Sequence, residues 1–352
     1  MTEADTARRL LAALPRLLPN LRVDEVRREA RFGGGRMADL VARARSGDVA
    51  QELIFEIKSL GEPRMAEQAI MQLRELARMR PSAYPVFAAP YISERAREIC
   101  KREGVGYLDL VGNAFLQFGS VLVDRTGADS RPMEKRGLRT LFAPKATRVV
   151  RALLQAPEGT TTITKLAQAC SMSPAGVYLV VDLLDKKGFV ERGENRNITL
   201  REPDRLLREW AKNWTWEKSQ VSYYFSFDKT AEQIMEKVNT AARKLGLRYA
   251  YTGMAGASYV APFVRYAQVA FYLEKGQEEL VKELDLRPAP TGANVLILSP
   301  YDRGVFDGIR EIRGANVVSD VQLFVDLFTF PARGEEQAEA VFEKAIRFPR
   351  AR

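Results

Sequence analysis

The sequence predicts a multidomain protein of the α/β and α+β classes. Up to residue 125, short alternating runs and helical stretches follow one another, which is typical of an α/β domain. Residues 146–214 contain short helical stretches followed by two short strands, and residues 215–352 return to alternating helices and strands. We therefore expect domains at 1–125, 146–214 and 215–352, with a basic linker at 126–145.

Composition narrows the functions open to this chain. Its 352 residues include no histidine and only two cysteines, Cys100 and Cys170, which lie in different predicted domains. The absence of histidine excludes histidine-dependent nuclease sites and Ser-His-Asp triads, so any hydrolysis needs carboxylates and a metal ion. Two cysteines argue against a structural zinc site. The cysteine usage favours a reducing cytoplasm. A net charge of +9 favours a polyanionic partner, and no apolar run is long enough for a membrane span.

A β-hairpin is predicted within Arg36–Lys58. Two short, partly alternating runs flank a turn that contains Gly47 and Asp48. If the turn is centred between these two residues, antiparallel pairing places Asp39 opposite Glu56, because each is the same number of residues from the centre. Directly opposed side chains share a face of the sheet, with Cβ atoms about 4.5–5.5 Å apart.

This pairing predicts a metal site. Strand alternation places Lys58 on the same face as Glu56, while the alternate residues point into a core. Two carboxylates at that separation repel each other, and a divalent cation is the usual remedy. We expect Asp39, Glu56 and the backbone carbonyl of Ile57 to bind Mg²⁺ or Mn²⁺. Lys58 would then orient a water on the metal for attack on phosphorus.

The helix predicted at Pro63–Met79 adds Gln68 to this pattern. The pattern resembles the PD-(D/E)xK nuclease superfamily: Asp39 stands in ADLV, Glu56 and Lys58 stand in FEIK, and Gln68 follows on the next helix, as in RecB-like members. The resemblance covers roughly residues 20–125. It implies a restriction-endonuclease-like domain in which these four residues are catalytic. The residues alone also allow a plain ion pair on a solvated sheet face.

The linker and the segment after it are rich in basic residues. Residues 126–151 contain only two acids, Asp129 and Glu134. The basic residues of the same stretch are Arg131, Lys135, Arg136, Arg139, Lys145, Arg148 and Arg151. One interpretation is a solvated linker, and the other is a stretch that contacts phosphates.

A winged helix-turn-helix is predicted directly afterwards. Helices are expected at 146–154 and 163–169, and Ser173 is expected to cap a third helix, with Pro174 in its first turn and its end at Gly188. Two strands and a short tip would form the wing at 189–200. The phrase SPAGVYLVVDLLDKKGFVER resembles winged-helix regulators. The resemblance implies a third helix in the major groove and a wing near the DNA backbone.

The residues expected to contact DNA are mostly suited to phosphates. The base-facing positions of the third helix hold no Arg, Asn or Gln that could read a base with two hydrogen bonds. An alternative interpretation is a winged helix that serves protein interaction or dimerisation. The predicted contacts are Ser173, Tyr178, Lys186, Lys187, Arg192, Arg196, Lys145 and Arg148.

The last predicted domain contains the stretches TGMAGASYVAP and VVSDVQLFVDLFTFPARGEEQAEAVFEKAI. With these stretches it resembles the C-terminal domain of AbiEi-family antitoxins of type IV toxin–antitoxin systems. The resemblance implies a winged-helix repressor that counters a nucleotidyltransferase toxin. No catalytic constellation is evident in this half, and we interpret Asp320 and Asp326 as helix-capping and surface acids.

Two functions follow from these patterns. The first is a Mg²⁺- or Mn²⁺-dependent deoxyribonuclease that its winged helix delivers to double-stranded DNA. The second is a non-catalytic transcriptional regulator or antitoxin that keeps the nuclease fold as a scaffold, with a homodimer and a cognate toxin as its further partners. DNA binding in the cytoplasm is common to both, and neither involves a membrane.

Overall fold

The computed structural model describes residues 2–32, 35–127, 141–156, 160–193, 196–331 and 333–348. The chain divides into two compact units, Met1–Gly137 with Leu183–Gly188, and Leu138–Asp182 with Phe189–Arg352. Both mix helices with sheets, so the predicted mixed α/β class is confirmed. Most of the predicted basic linker, residues 128–140, lies outside the described residues.

The first unit is built on one mixed sheet. Its elements are α1 (Glu3–Leu17), β1 (Arg22–Arg31), β2 (Met37–Ser46), β3 (Val49–Ile57), α2 (Pro63–Met79), β4 (Tyr84–Ala89), α3 (Glu94–Arg102), β5 (Gly106–Asp109), β6 (Ala114–Phe118) and β7 (Val121–Arg125). The sheet order is β1-β2-β3-β4-β5-β6-β7. The pairs β3–β4 and β4–β5 are parallel, because α2 and α3 cross over between their strands, and the other pairs are antiparallel.

The β2–β3 hairpin has the predicted register. Ser46 pairs with Val49 across Gly47 and Asp48, and the ladder runs to Leu40 opposite Phe55. Gly47 adopts a positive φ of 57°, a conformation that glycine takes without steric cost. The sequence predicts the two runs at Arg36–Ala44 and Gln51–Lys58, and both strands extend closer to the turn than these runs, because the turn closes with only two residues between the strands.

Each face of this sheet packs a different core. Leu53, Phe55 and Ile57 of β3 point towards a cluster that includes Leu10 and Leu14 of α1. On the opposite face, buried residues of the strands pack against α2 and α3. The strand residues include Val41 of β2 and Ile54 of β3, and the helix residues include Ala66, Ala69, Ile70 and Leu73 of α2 and Ala96, Ile99 and Cys100 of α3. Glu56 lies on this second face, next to the end of β3.

The segment predicted as a winged helix contains helices and a small antiparallel sheet in the expected sequence order. Its elements are α4 (Pro144–Leu154), β8 (Thr160–Thr162), α5 (Ile163–Cys170), α6 (Pro174–Lys186), β9 (Val190–Arg192) and β10 (Asn197–Leu200). The three-stranded sheet has the order β8-β10-β9. Val177, Val181 and Leu184 of α6 are fully buried, and the Gly176 N–H donates to Ser173 Oγ at 3.2 Å, which caps the helix as predicted. Residues 194–195 of the predicted wing tip lie outside the described residues.

The remaining elements of the second unit surround another mixed sheet. They are α7 (Pro203–Lys212), β11 (Gln220–Phe225), α8 (Ala231–Leu245), β12 (Tyr249–Thr252), α9 (Gly253–Val260), β13 (Val269–Leu273), α10 (Gln277–Glu283), β14 (Arg287–Pro288), β15 (Val295–Ser299), β16 (Arg310–Ile312), β17 (Ala315–Val317), α11 (Asp320–Phe328) and α12 (Gly334–Ala345). Short 3₁₀ turns lie at Trp216–Lys218 and Arg303–Phe306. The strand order is β14-β11-β15-β13-β12-β17-β16.

No single helix in the described part of the chain is long and apolar enough to cross a membrane. The helices α5 and α6 pass that test only when taken together, across a bend of 114°.

A buried polar network joins α11 to the sheet, and it corrects the interpretation of Asp326 as a surface acid. Asp326 is fully buried and accepts hydrogen bonds from Thr252 Oγ1 at 2.6 Å, Gln322 Nε2 at 2.7 Å and Tyr272 Oη at 3.1 Å. Arg151 of α4 extends the network by donating to Gln322. Burial raises the pKa of Asp326 to about 7, although the three hydrogen bonds oppose the rise.

This network predicts a pH-dependent stability. Between the ordinary pKa of 3.8 and the raised value of about 7, the folded chain keeps a proton on Asp326 that the unfolded chain has released. The contribution to the free energy of unfolding is therefore fully present below the ordinary pKa and is lost as the pH rises through the raised pKa. Asp326→Asn should remove this dependence, so the melting temperature of the wild type should fall relative to the variant as the pH rises from about 4 to about 7. A difference that stays constant over this range, as expected for the exposed control Asp285→Asn, would contradict the assignment.

Candidate functional site

The structure brings Asp39, Glu56 and Lys58 together at the end of the β2–β3 hairpin. The ladder pair Leu40–Phe55 is followed by Asp39 on one strand and Glu56 on the other. Asp39 Oδ2 accepts a hydrogen bond of 2.6 Å from the backbone N–H of Ile57, and Lys58 Nζ lies 2.6 Å from Glu56 Oε1. The hairpin turn and the strand alternation therefore produce the cluster by local geometry alone.

Burial controls the electrostatics of this cluster. Glu56 is 5% exposed, whereas Asp39 and Lys58 are half-buried. Burial raises the pKa of Glu56 above its ordinary value, the hydrogen bond from Lys58 opposes the rise, and the negative charge of Asp39 adds to it. The Lys58 ammonium thus partly compensates a carboxylate that would otherwise be costly to ionise.

The loop that carries Lys58 is anchored to the neighbouring strands. The Lys58 N–H donates to the Ala88 carbonyl at 2.9 Å, and Gly61 forms a parallel bridge with Ile92. A Cβ atom on Gly61 would lie 2.1 Å from the Tyr91 carbonyl oxygen, so only glycine permits this close approach. Lys58 therefore leaves the sheet along a fixed path.

Asp109 helps to hold the Gly61–Ile92 bridge in place, and the sequence-based prediction does not include it. Its carboxylate is fully buried, accepts from the Ile92 N–H at 3.1 Å and binds the Asn113 side-chain amide at 2.6 Å. Three further backbone N–H groups, at 111–113, donate to its other oxygen. The run LDLVGN, with Asp followed by Gly-Asn, is typical of such a side-chain-stabilised turn.

Gln68 does not join the cluster through a hydrogen bond in the described part of the chain. It lies exposed on α2, where its neighbours Ala66 and Ala69 face the core. Among the described residues, no group of three or more His, Cys, Asp or Glu side chains is placed to hold a metal ion. A cation would therefore find two carboxylates, from Asp39 and Glu56, and water or backbone oxygens for its other positions.

Some of the residues predicted to contact DNA are exposed, and the others pair with acidic side chains of this chain. Ser173, Tyr178, Lys186, Arg196 and Lys145 are exposed. Arg192 is half-buried: it pairs with Asp182 at 2.7 Å, and its guanidinium lies 4.9 Å from the centre of the Tyr178 ring.

Two of these predicted DNA contacts need correction. Arg148 makes two parallel hydrogen bonds of 2.6 Å to the Asp302 carboxylate, and this pairing raises its pKa. Lys187 is buried, with its ammonium 3.4 Å from Glu62. Both side chains compensate acids that lie far away in the sequence, so neither is an exposed phosphate contact.

Residues 199–347 match the AbiEi_2 family model. The model describes a transcriptional regulator, the AbiEi antitoxin of a type IV TA system. The resemblance predicted for the C-terminal part is confirmed. The match begins before the predicted boundary at 215 and includes α7, whose Trp210 is fully buried and whose Arg208 pairs with Glu339 of α12.

Two solved structures are similar to part of this chain. A crystal structure of a repair endonuclease from Pyrococcus abyssi has 18% identity and a TM-score of 0.25, and covers 31% of this chain and 47% of that one. The structure of EndoMS in apo form has 16% identity and a TM-score of 0.23, and covers 31% of this chain and 46% of that one. The match spans less than half the length of either protein. No curated protein matches the chain.

The Asp39–Glu56 cluster predicts binding of a divalent cation that competes with protons for the two carboxylates. Calorimetric titration with Mn²⁺ should detect binding that Asp39→Asn and Glu56→Gln each weaken by about tenfold or more, since each variant removes one of two charged ligands. Affinity should fall as the pH falls through the raised pKa of Glu56, because a protonated carboxyl no longer binds the cation. Glu52→Gln, which changes an acid on the same strand, is the matched control and should bind as the wild type does. Equal affinity in Glu56→Gln and Glu52→Gln would contradict the site.

Proposed function

We propose that this protein binds DNA and hydrolyses its phosphodiester bonds with a divalent cation, Mg²⁺ or Mn²⁺, held by Asp39 and Glu56. One observation carries the proposal: two carboxylates face each other at the end of a hairpin, with a lysine ammonium 2.6 Å from one of them. The donor set fits the cation, because Mg²⁺ prefers carboxylate oxygens and retains several waters. A cation would also neutralise the repulsion that burial of Glu56 beside Asp39 creates.

The chain's own residues would have separate tasks in such a reaction. When bound, the cation stabilises negative charge on the phosphate and lowers the pKa of a water. The backbone N–H of Ile57 holds one oxygen of Asp39, which fixes the carboxylate and leaves Oδ1 without a hydrogen bond in the described part. Lys58 neutralises Glu56 in the free protein, and its ammonium is near enough to the site to bind a phosphate oxygen of the substrate.

The proposal predicts DNA cleavage that depends on these side chains. Plasmid and single-stranded DNA should be nicked in Mg²⁺ or Mn²⁺, and EDTA should abolish the reaction. Asp39→Asn, Glu56→Gln and Lys58→Met should each lower the rate by at least about a hundredfold, because each removes charge stabilisation in the transition state.

Matched controls separate chemistry from folding. Glu52→Gln and Lys101→Met alter an acid and a lysine of the same unit outside the cluster and should keep the wild-type rate. Melting curves establish that every variant is folded. If the wild type and Asp39→Asn cleave at the same background rate, the cluster does not hydrolyse DNA.

The family match favours a second candidate function. Residues 199–347 match a family described as a transcriptional regulator and antitoxin. In this function the chain binds double-stranded DNA as a homodimer, opposes a toxin partner and does not cleave. The Glu56–Lys58 ion pair would then serve only to neutralise a buried acid.

DNA binding itself should depend strongly on salt. The exposed side chains Lys186 and Arg196 would each neutralise a phosphate, and each phosphate contact contributes about −0.9 to the log–log slope of affinity against salt. Changing both residues to Gln should therefore weaken binding to every sequence and make the slope shallower by about two. Lys237→Gln, an exposed lysine on α8, is the control.

Fluorescence anisotropy at several salt concentrations measures this effect, and light scattering with footprinting tests for a dimer on a two-fold site. Binding that ignores salt would contradict both candidate functions. A monomer that protects no discrete sequence would contradict the second one alone.

A further inference from the structure

The second unit contains a polar cleft that neither candidate function uses. It has a volume of about 620 Å³ and lies between α8, the end of α9, the irregular segment 261–268 and the turn between β16 and β17. Small-molecule sites commonly have volumes of about 300–1,000 Å³. The cleft is therefore large enough for a ligand of moderate size.

One wall of the cleft is fixed by a buried glutamine. Gln337 of α12 is 2% exposed; its Nε2 donates to the Ala261 carbonyl at 2.7 Å, and its Oε1 accepts from the Val264 N–H at 2.9 Å. Tyr266 Oη adds a third anchor by donating to Ser258 Oγ at 3.0 Å. Although this segment has no regular secondary structure, its backbone is held at Ala261 and Val264 and the Tyr266 side chain is held at Ser258, so the cleft is pre-formed.

The side-chain amide of Asn239 lies in the cleft. Tyr249 Oη donates to Asn239 Oδ1 at 2.7 Å, and Tyr251 Oη lies 2.9 Å from the same oxygen. Tyr251 Oη also lies 2.8 Å from the Met235 carbonyl, so its single proton serves either that carbonyl or Asn239 Oδ1. With Oδ1 bound to Tyr249, Nδ2 has no hydrogen-bond acceptor among the described residues and can donate to an oxygen or a ring nitrogen of a ligand.

Opposite charges line the opening. Arg265 and Arg313 are exposed, and neither makes an ion pair or a hydrogen bond within the described part of the chain. Glu232 and Glu236 lie one turn apart on α8. Tyr259 contributes a half-buried ring that is stacked on Tyr251 at an interplanar angle of 20°.

We propose that this cleft binds a nucleoside phosphate. The phosphate uses Arg265 and Arg313, since guanidinium groups match its oxygens in charge and geometry. The ribose hydroxyls donate to the carboxylates of α8, and a base acceptor binds the Asn239 amide. The base packs against aromatic surface at Tyr259. Free phosphate or a small carboxylate would use the arginines alone, whereas a nucleoside phosphate uses every polar group named here.

Calorimetry on the full chain tests the proposal with three classes of probe. The probes are the nucleoside mono- and triphosphates of the four bases, the nucleosides, and inorganic phosphate. At least one nucleoside phosphate should bind about tenfold or more tightly than its nucleoside and than inorganic phosphate. Arg265→Gln and Arg313→Gln should weaken the nucleotide about tenfold and leave the nucleoside unchanged.

Asn239→Asp tests the base-recognising end of the cleft. The carboxylate still accepts from Tyr249 but no longer donates, so nucleotide and nucleoside should both bind about tenfold more weakly. Lys237→Gln lies on the same helix, pairs with Asp228 instead of lining the cleft, and should change nothing.

Three results would overturn the proposal. They are no binding by any nucleoside phosphate, equal affinity for nucleotide and inorganic phosphate, and nucleotide binding that the two arginine variants leave unchanged. The arginines are exposed, so these variants keep the test decisive even if Asn239→Asp fails to fold. DNA cleavage is not part of the measurement, and its presence or absence does not affect the outcome.

Discussion

The two-residue turn at Gly47 and Asp48 is the constraint on which the candidate nuclease site depends. It sets the register of β2 and β3, and the side-chain period of two then decides which residues share a face. A shift of one residue would place Asp39 and Glu56 on opposite faces of the sheet, with one of them on the face that α1 covers. The positive φ of Gly47 therefore has a consequence at the far end of the hairpin, where two carboxylates meet.

Two arginines of α4 make polar contacts over long sequence distances in the second unit. Arg148 and Arg151 are on successive turns of α4, and both point inwards: one binds Asp302 through two hydrogen bonds, and the other donates to Gln322 and Tyr301. Buried guanidinium groups need such partners, because an unpaired charge in the interior is costly. The first helix of the predicted winged helix-turn-helix is thus attached to α11 and to the residues that follow β15 in the C-terminal part.

Local patterns predicted what local interactions determine. The hairpin register, the Ser173 cap and the buried stripe of α6 all follow from residues within one or two turns of each other, and the structure reproduces them. The roles of Arg148 and Lys187 depend on acids that are 154 and 125 residues away, so the local sequence does not indicate these pairings. The local sequence does not indicate the burial of Asp326 either, because its partners on β12 and β13 lie at least 54 residues away.

The Glu56–Lys58 pair links the two candidate functions through one physical competition. An ammonium 2.6 Å from a buried carboxylate and a divalent cation would neutralise the same charge. If the cation wins, Lys58 is released towards the substrate, and the hairpin performs chemistry. If the ammonium keeps the carboxylate, the pair stabilises the fold without a metal, and the domain can act as a scaffold for DNA binding. Asp39 shifts this balance towards the cation, because a second negative charge attracts a divalent cation more strongly than a monovalent ammonium.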